Sequence, residues 1–129
     1  GSAAGSYRRL LGILSGLPRL DLEAVHKLAD AVAPSAAEQE FHMLTGLLQE
    51  LIARCLRART TGEGALAGEA ALIERLLPRE ADGRRLASWA GVWETIAREK
   101  ADVMALNLDR KAFLLDTFLR IEAVSRDAA

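Results

Sequence analysis

The sequence is poor in cysteine, proline and aromatic residues, and it contains no long hydrophobic run. Its single cysteine, Cys55, can form no internal disulfide, which fits a reducing compartment and predicts a cytoplasmic protein. Basic and acidic residues number 17 and 18 and leave a net charge of −1, so no general attraction to nucleic acid or to anionic membranes is expected. No apolar run is long enough to span a bilayer, and the first residues have no secretory pattern.

Leucine and alanine, by contrast, are abundant, and half of the residues are hydrophobic. Both are strong helix formers, whereas few β-branched residues are available to build a sheet. A chain of 129 residues can enclose one hydrophobic core. These features predict an all-α fold of a single domain, a bundle of five to six helices.

Apolar residues at helical spacing, interrupted by proline and glycine, divide the chain into segments. Helices are predicted over residues 6–15, from Asp21 up to Pro34, and over residues 35–58, 69–77, 86–104 and 108–126. The helical domain would therefore cover residues 6–126, with a mobile glycine-rich loop at about 60–68. Residues 1–5 are expected to be a cloning tag or a disordered start of a fragment, and residues 127–129 a frayed tail.

Four polar residues are predicted to stabilise helix starts. Ser35 and Glu38 have the spacing of a capping box at the start of the longest helix. Asn107 is placed to accept a hydrogen bond from the first turn of the last helix, and the charge of Asp109 would favour the dipole of that helix. The last helix is therefore expected to begin at Leu108.

Residue types that carry catalysis or bind metals are scattered. His26 and His42 lie on different predicted helices and Cys55 stands alone, so no pair has the spacing of a zinc site. Burial on an apolar stripe should raise the pKa of the Cys55 thiol and leave it inert. The glycine-rich residues 62–68 lack the Lys-Ser/Thr ending of a phosphate loop. We therefore predict no catalytic residue, no metal, no cofactor, no small-molecule substrate and no enzyme activity for this chain.

Arginines cluster near the end of the third predicted helix and around the fourth helix and its exit. They are Arg54, Arg57, Arg59, Arg75, Arg79, Arg84 and Arg85. Such clusters can contact nucleic acid, but cations at helix C-termini also offset the helix dipole. Because no helix-turn-helix pattern accompanies them, direct nucleic-acid binding is not expected.

The two tryptophans, Trp89 and Trp93, are four positions apart and therefore share one helix face. Such a pair is typical of core packing, although tryptophan is also enriched in the hot spots of interfaces. Phe118 lies on the apolar stripe of the last helix. These three residues are predicted to be core residues or partner-binding anchors.

Two stretches near the end of the chain resemble a known family. Residues 88–94 read SWAGVWE and residues 105–111 read ALNLDRK, followed by an apolar helix. They are similar to the end of the delta-prime subunit family of the bacterial DNA polymerase III clamp loader. Weaker similarity covers residues 7–29 and the predicted long helix at 41–57, so the resemblance extends over most of the chain.

The resemblance implies a collar domain, a helical bundle that joins clamp-loader subunits into a ring without doing chemistry. The AAA+ domains and the zinc module of that family have no counterpart here. The implied partners are the delta and gamma/tau subunits. Polar residues of the last helix, Arg110, Lys111, Asp116 and Arg120, are either solvated or pair across a subunit boundary. The alternative is a helical regulatory module that binds a peptide or a small ligand between its helices.

Overall fold

The computed structural model describes residues 2–127, and within that range it contains six α-helices, one short 3₁₀ turn and no strand. The helices are α1 (Ser2–Leu14), α2 (Leu22–Val32), α3 (Glu38–Thr60), α4 (Ala70–Leu76), α5 (Gly83–Leu106) and α6 (Arg110–Arg126), and the 3₁₀ turn is Ser35–Ala37. The predicted all-α bundle is therefore confirmed. None of these helices combines the length and the apolar character that crossing a membrane requires.

Three helices begin at an aspartate whose side chain caps the first turn. Asp21 accepts a hydrogen bond from the backbone N–H of Ala24 at 3.2 Å, and Asp82 and Asp109 do the same at α5 and α6. Each carboxylate satisfies a backbone donor that has no partner inside the helix and also favours the positive end of the helix dipole. The predicted start of the second helix at Asp21 agrees with this cap.

Four helices, α2, α3, α5 and α6, form a ring in which each contacts the next, while α1 and α4 pack against α3. Contacts between their ends fix the directions of the helices. Arg110 at the start of α6 meets Glu38 at the start of α3, and Lys111 meets Asp30 near the end of α2. Only residues 107–109 separate α5 from α6, so these two helices are antiparallel, as short connections predict. Together with the two ion pairs, this makes all neighbours in the ring antiparallel.

The bundle therefore has two distinct ends. At one end α3 and α6 finish, α2 and α5 begin, and α4 packs nearby; we call it the arginine end after the side chains of Arg59, Arg75, Arg85 and Arg126. At the other end α2 and α5 finish and α3 and α6 begin. We call it the leucine end after Leu106 and Leu108, which are both exposed there.

The core lies inside the ring and between α3, α1 and α4. Its largest fully buried side chains are Trp89, Phe41 and Phe118, surrounded mainly by leucines. Cys55 on α3 is also buried in this core. Trp89 and Phe118 are thus core residues, whereas Trp93, one turn after Trp89, is 38% exposed.

The connection between α5 and α6 differs from the sequence-based expectation. Asn107 does not cap the start of α6; it ends α5 in the left-handed conformation, with φ 53°. Asparagine tolerates this conformation better than most residues, so it can serve as a helix C-cap. Asp109, two residues on, accepts from the N–H of Ala112 at 3.0 Å, and α6 begins at Arg110 rather than Leu108.

The predicted capping box at the start of the long helix is also absent. Residues Ser35–Ala37 form a 3₁₀ turn, and the residue before α3, Ala37, has no side chain that could cap it. The carboxylate of Glu38 is directed to Arg110 instead. A long-range ion pair therefore replaces the predicted local hydrogen bond.

The first helix and the fifth begin earlier than predicted. Helix α1 starts at Ser2, so residues 2–5 are helical and the expected disordered start is wrong for them. Helix α5 starts at Gly83, after the cap at Asp82. Residue 1 and residues 128–129, parts of the predicted tag and frayed tail, lie outside the described residues, whereas Asp127 donates its N–H to Ala123.

The connection between α3 and α4 spans residues 61–69. Gly62, Gly64 and Gly68 all have positive φ, between 78° and 97°. Only glycine enters this region without strain, so these glycines allow the chain to turn from α3 into α4. The predicted mobility of this loop stays a prediction.

Candidate functional site

The polar side of α6 is bound to three other helices of the same chain. Three of the four predicted interface residues form these ion pairs: Arg110 with Glu38 on α3 (2.8 Å), Lys111 with Asp30 on α2 (2.7 Å), and Arg120 with Glu99 on α5 (3.1 Å). The pairs point in three directions and do not form one patch. Arg110, Lys111 and Arg120 therefore fix the position of α6 within the ring, and their role in binding a partner stays a prediction.

Arg110 is the most enclosed of the three cations. Its side chain is 12% exposed, and its guanidinium lies 5.3 Å from the centre of the Phe41 ring. Phe41 in turn packs against Phe113 of α6 with ring centres 6.0 Å apart. The start of α6 is thus held by aromatic packing and a cation–π contact as well as by charge.

Asp116, the fourth predicted interface residue, is exposed and lies apart from those ion pairs. It lines an open groove between the last two turns of α5 and the first two turns of α6. We call this the acidic groove, lined by Glu99, Asp102, Val103, Leu108, Asp109, Ala112, Phe113 and Asp116. Asp116 is therefore the predicted interface residue that the structure leaves available to a partner.

Large apolar side chains are exposed on two sides of α5. Leu108 lines the acidic groove, Leu106 follows Asp102 by one turn of α5, and Leu119 follows Asp116 by one turn of α6. Trp93 lies on a different side of α5, because the nine positions that separate it from Asp102 amount to a rotation of about 180° around the helix.

Trp93 shares its side of α5 with three residues at helical spacing, all of them partly buried. This Trp93 surface consists of Trp93, Ala97, Lys100 and Met104. Apolar side chains are thus exposed in two separate places, beside the acidic groove and at Trp93 with its partly buried neighbours.

The arginine clusters that suggested nucleic acid are engaged inside the molecule. Three of their guanidinium groups donate to backbone carbonyls: Arg59 to Leu77, Arg75 to Leu17 (2.8 Å) and Arg85 to Leu76 (2.8 Å). Arg126, which lies outside the clusters, donates to the Pro18 carbonyl at 3.2 Å. The carbonyls of Leu76 and Leu77 lie at the end of α4, where they have no partner inside the helix, so Arg59 and Arg85 cap α4. Leu17 and Pro18 lie in the connection between α1 and α2, which Arg75 and Arg126 hold in place.

Two further arginines of the clusters form ion pairs within the chain. Arg57 binds Glu50 at 2.8 Å, and Arg79 lies 3.7 Å from Glu74. Arg84 alone of the seven is exposed without a described partner for its guanidinium among residues 2–127. Arg57, Arg79 and Arg84 thus keep exposed side chains, and the expectation that the clusters do not bind nucleic acid stays a prediction.

A buried carboxylate, Glu69, was not singled out by the sequence. It is fully buried at the start of α4, and it accepts hydrogen bonds from Arg54 Nη2 at 2.8 Å, from the Leu66 N–H at 2.9 Å and from the Tyr7 hydroxyl. Burial alone would raise the pKa of this carboxyl, but the bonds from Arg54, Tyr7 and Leu66 outweigh it and lower the pKa. Glu69 thus joins α1, α3 and α4.

Glu122 is the second buried carboxylate, on the apolar face of α6 between Phe118 and Ser125. It accepts the backbone N–H of Leu20 at 2.7 Å and lies 3.5 Å from Arg126. An acidic residue within an apolar stripe is a signal that sequence analysis can use, because a buried charge requires a partner. Glu122 fixes the segment before α2 against the end of α6.

Cys55, Glu69 and Glu122 are buried side chains with reactive groups, and the expectation of no enzyme activity stays a prediction. Burial, followed by the nearby charge of Glu69, raises the pKa of the Cys55 thiol to about 12, so the thiolate nucleophile is not populated near neutral pH. Within residues 2–127 no three side chains of His, Cys, Asp or Glu gather as metal ligands would. Glu69 and Glu122 are occupied by structural hydrogen bonds.

Comparison with known proteins adds no assignment. No protein-family model matches the chain, and neither the curated proteins nor the solved structures contain a significant match to it.

Proposed function

We propose that this chain is a non-catalytic helical oligomerisation domain, similar to the collar domain of the delta-prime subunit of the bacterial DNA polymerase III clamp loader. In this role it would pack between a delta and a gamma/tau subunit and support loading of the sliding clamp during DNA replication. The sequence basis is the resemblance of residues 88–94 and 105–111 to that family.

The observation that carries the proposal is the presence of two apolar surfaces on different sides of α5. A subunit in a ring of unlike neighbours needs a different surface for each neighbour, since such contacts are heterologous. The acidic groove with Leu106, Leu108 and Leu119 supplies one surface, and the Trp93 surface supplies the other. Exposed apolar side chains in groups mark interaction sites.

Packing between the helices favours this role over a ligand-binding module. The space inside the ring is filled by leucines and aromatic side chains, among them Phe41, Trp89 and Phe118. The cavity beside the α4–α5 connection has a volume of about 190 Å³ and lies at the surface, where Arg85 is already engaged with carbonyls. A small-ligand site normally has an enclosed pocket with convergent polar groups.

The test is size-exclusion chromatography with light scattering on this chain mixed with full-length delta and gamma/tau subunits from the same organism. We expect a stable hetero-complex at concentrations on the order of tens of micromolar. Leu108→Asp should remove one neighbour and Trp93→Ser the other. Leu22→Asp is the matched control, because Leu22 and Leu108 are both 47% exposed. If the chain elutes separately from both subunits in the mixture, the proposed function is contradicted.

A further inference from the structure

The acidic groove combines an apolar floor with a negatively charged rim. Val103 and Phe113 form the floor and are nearly buried, while Leu108 forms one wall and is 47% exposed. The groove has a volume of about 360 Å³ and is open along its length. An open channel between two antiparallel helices is suited to a third helix, which would lay a row of apolar side chains at positions i, i+3, i+4 and i+7 into it.

Half of the eight lining residues are acidic and none is basic. Glu99 is neutralised by Arg120, and Asp109 is used in part to cap α6. Asp102 and Asp116 face the groove from opposite helices, and within residues 2–127 neither has a cation within ion-pair distance; Arg98 is exposed one turn before Asp102. A partner that carries lysine or arginine beside its apolar row would find complementary charge here.

The negative charge of the acidic groove disfavours some classes of binding partner. Phosphate-bearing nucleic acid and anionic lipid would be repelled by the carboxylates. A second copy of the chain offers Arg8 and Arg9 on α1, but Leu10 and Ile13 of the same helix are buried in its own core. Helix α1 of a second copy is therefore unsuited to the groove, and we take the occupant to be a helix of another protein.

We propose that the acidic groove binds a cationic amphipathic helix of a partner protein, with apolar side chains on Val103, Leu108 and Phe113 and basic side chains against Asp102 and Asp116. The identity of that partner as a clamp-loader subunit rests on the proposed function, whereas the chemistry of the occupant does not.

The experiment uses two fluorescein-labelled peptides of about 18 residues, or five helical turns. Both carry leucines at i, i+3, i+4 and i+7, and the remaining positions are lysine-rich in one and glutamate-rich in the other. Fluorescence anisotropy is recorded against the whole chain. We expect the lysine peptide to bind with a Kd on the order of tens of micromolar and the glutamate peptide to bind at least about tenfold more weakly.

Variants locate the binding. Asp102→Lys with Asp116→Lys should weaken binding of the lysine peptide by about tenfold or more, and Leu108→Asp should weaken it as well. The controls are Glu63→Lys with Glu94→Lys, which make the same charge change at exposed positions outside the groove, and Leu22→Asp. Circular dichroism checks that each variant keeps its fold.

The inference is overturned if the lysine peptide does not bind at about 1 mM, if the two peptides bind equally, or if the groove variants and the controls behave alike. These outcomes are independent of the mixing experiment with delta and gamma/tau. Hetero-complexes that tolerate Asp102→Lys with Asp116→Lys would leave the proposed function standing and remove the groove as its interface. Peptide binding without hetero-complexes would support the groove as a helix-binding site and contradict the proposed function.

Discussion

The arginine end and the leucine end of the bundle are held by different kinds of contact. At the arginine end, guanidinium groups donate to backbone carbonyls and Glu122 accepts from a backbone N–H, so these backbone groups have hydrogen-bond partners within the chain. At the leucine end, the partly exposed ion pair Lys111–Asp30 and the packing of Arg110 on Phe41 join the helices. Hydrogen bonds from charged groups to buried backbone contribute more to stability than surface ion pairs do.

The difference teaches where this fold can accommodate a partner. Most guanidinium groups at the arginine end, those of Arg59, Arg75, Arg85 and Arg126, are already bonded within the chain, whereas Arg84 is exposed. The leucine end keeps Leu106 and Leu108 exposed and carries the acidic groove. We therefore expect substitutions at the arginine end to change stability and substitutions in the acidic groove to change the proposed interaction.

The largest loss of stability is expected for Trp89, and Trp93 provides the comparison. Trp89→Ala at the arginine end removes a fully buried side chain and its Nε1 hydrogen bond to the Leu76 carbonyl, and it should lower the free energy of unfolding by about 4 kcal/mol. Trp93→Ala, one turn further on, should lower it by less than about 1 kcal/mol. Urea unfolding followed by circular dichroism measures both, and equal losses would contradict the burial difference.

Removal of Glu69 should come next. Glu69→Ala leaves Arg54 and the Tyr7 hydroxyl without their buried acceptor, and we expect a loss of about 3 kcal/mol. Glu69→Gln keeps the shape and one acceptor oxygen, so it should lose less. The same urea unfolding experiment compares the two variants, and a Glu69→Ala protein as stable as wild type would show that the network contributes nothing.

Acid should weaken the same network. The pKa of Glu69 is lowered in the folded state, so its contribution to stability is present above the unfolded pKa of about 4.3 and is lost as pH falls through the folded pKa. The difference in unfolding free energy between wild type and Glu69→Gln should therefore shrink as the pH falls from about 6 through the folded pKa of Glu69. Unfolding curves at several pH values test this, and a difference that is constant with pH would argue against the lowered pKa.

Two neighbouring arginines sharpen the comparison. Arg85 donates to the Leu76 carbonyl at 2.8 Å, whereas Arg84 is exposed. Arg85→Met should cost about 2 kcal/mol, and Arg84→Met should change stability by no more than about 0.5 kcal/mol. Thermal unfolding of the two variants side by side provides the measurement, and a larger loss for Arg84→Met would refute capping by Arg85.

The weakest of these contacts is expected at the leucine end. Lys111 and Asp30 form a partly exposed ion pair at 2.7 Å. A double-mutant cycle of Lys111→Ala and Asp30→Ala should give a coupling energy below about 1 kcal/mol, and high salt should reduce it. A coupling as large as the Arg85 effect would break the contrast between the two ends.

Sequence patterns located the helices because local rules decide them. Asp21 is followed by an apolar periodic segment, and proline or glycine stands after most helices, so their approximate limits could be predicted. The same rules failed at Asn107, since asparagine suits both a helix start and a left-handed helix end. In the sequence, Asn107 and Asp109 are equally good candidates for the residue that caps the start of α6. In the structure Asp109 is that cap, and Asn107 ends α5.

Long-range polar contacts could not be predicted in the same way. Glu38 has the spacing of a capping box with Ser35, but Arg110, 72 residues later, binds its carboxylate instead. Glu69 is preceded by glycine and followed by an apolar helix, and nothing local shows that Arg54 and Tyr7 converge on it. Such pairs depend on which helices become neighbours.

The sequence by itself determined that this protein is all-α, where most helices lie, and that Trp89, Phe118 and Cys55 belong to apolar stripes, because spacing along one helix fixes which residues share a face. The tertiary structure decided which of these faces is covered. It buried Trp89 and left Trp93 exposed, engaged Arg110, Lys111 and Arg120 within the chain, and left Asp116 beside an open groove. The physical reason is that burial and pairing depend on the order of helices around the ring, which periodicity in one segment does not encode.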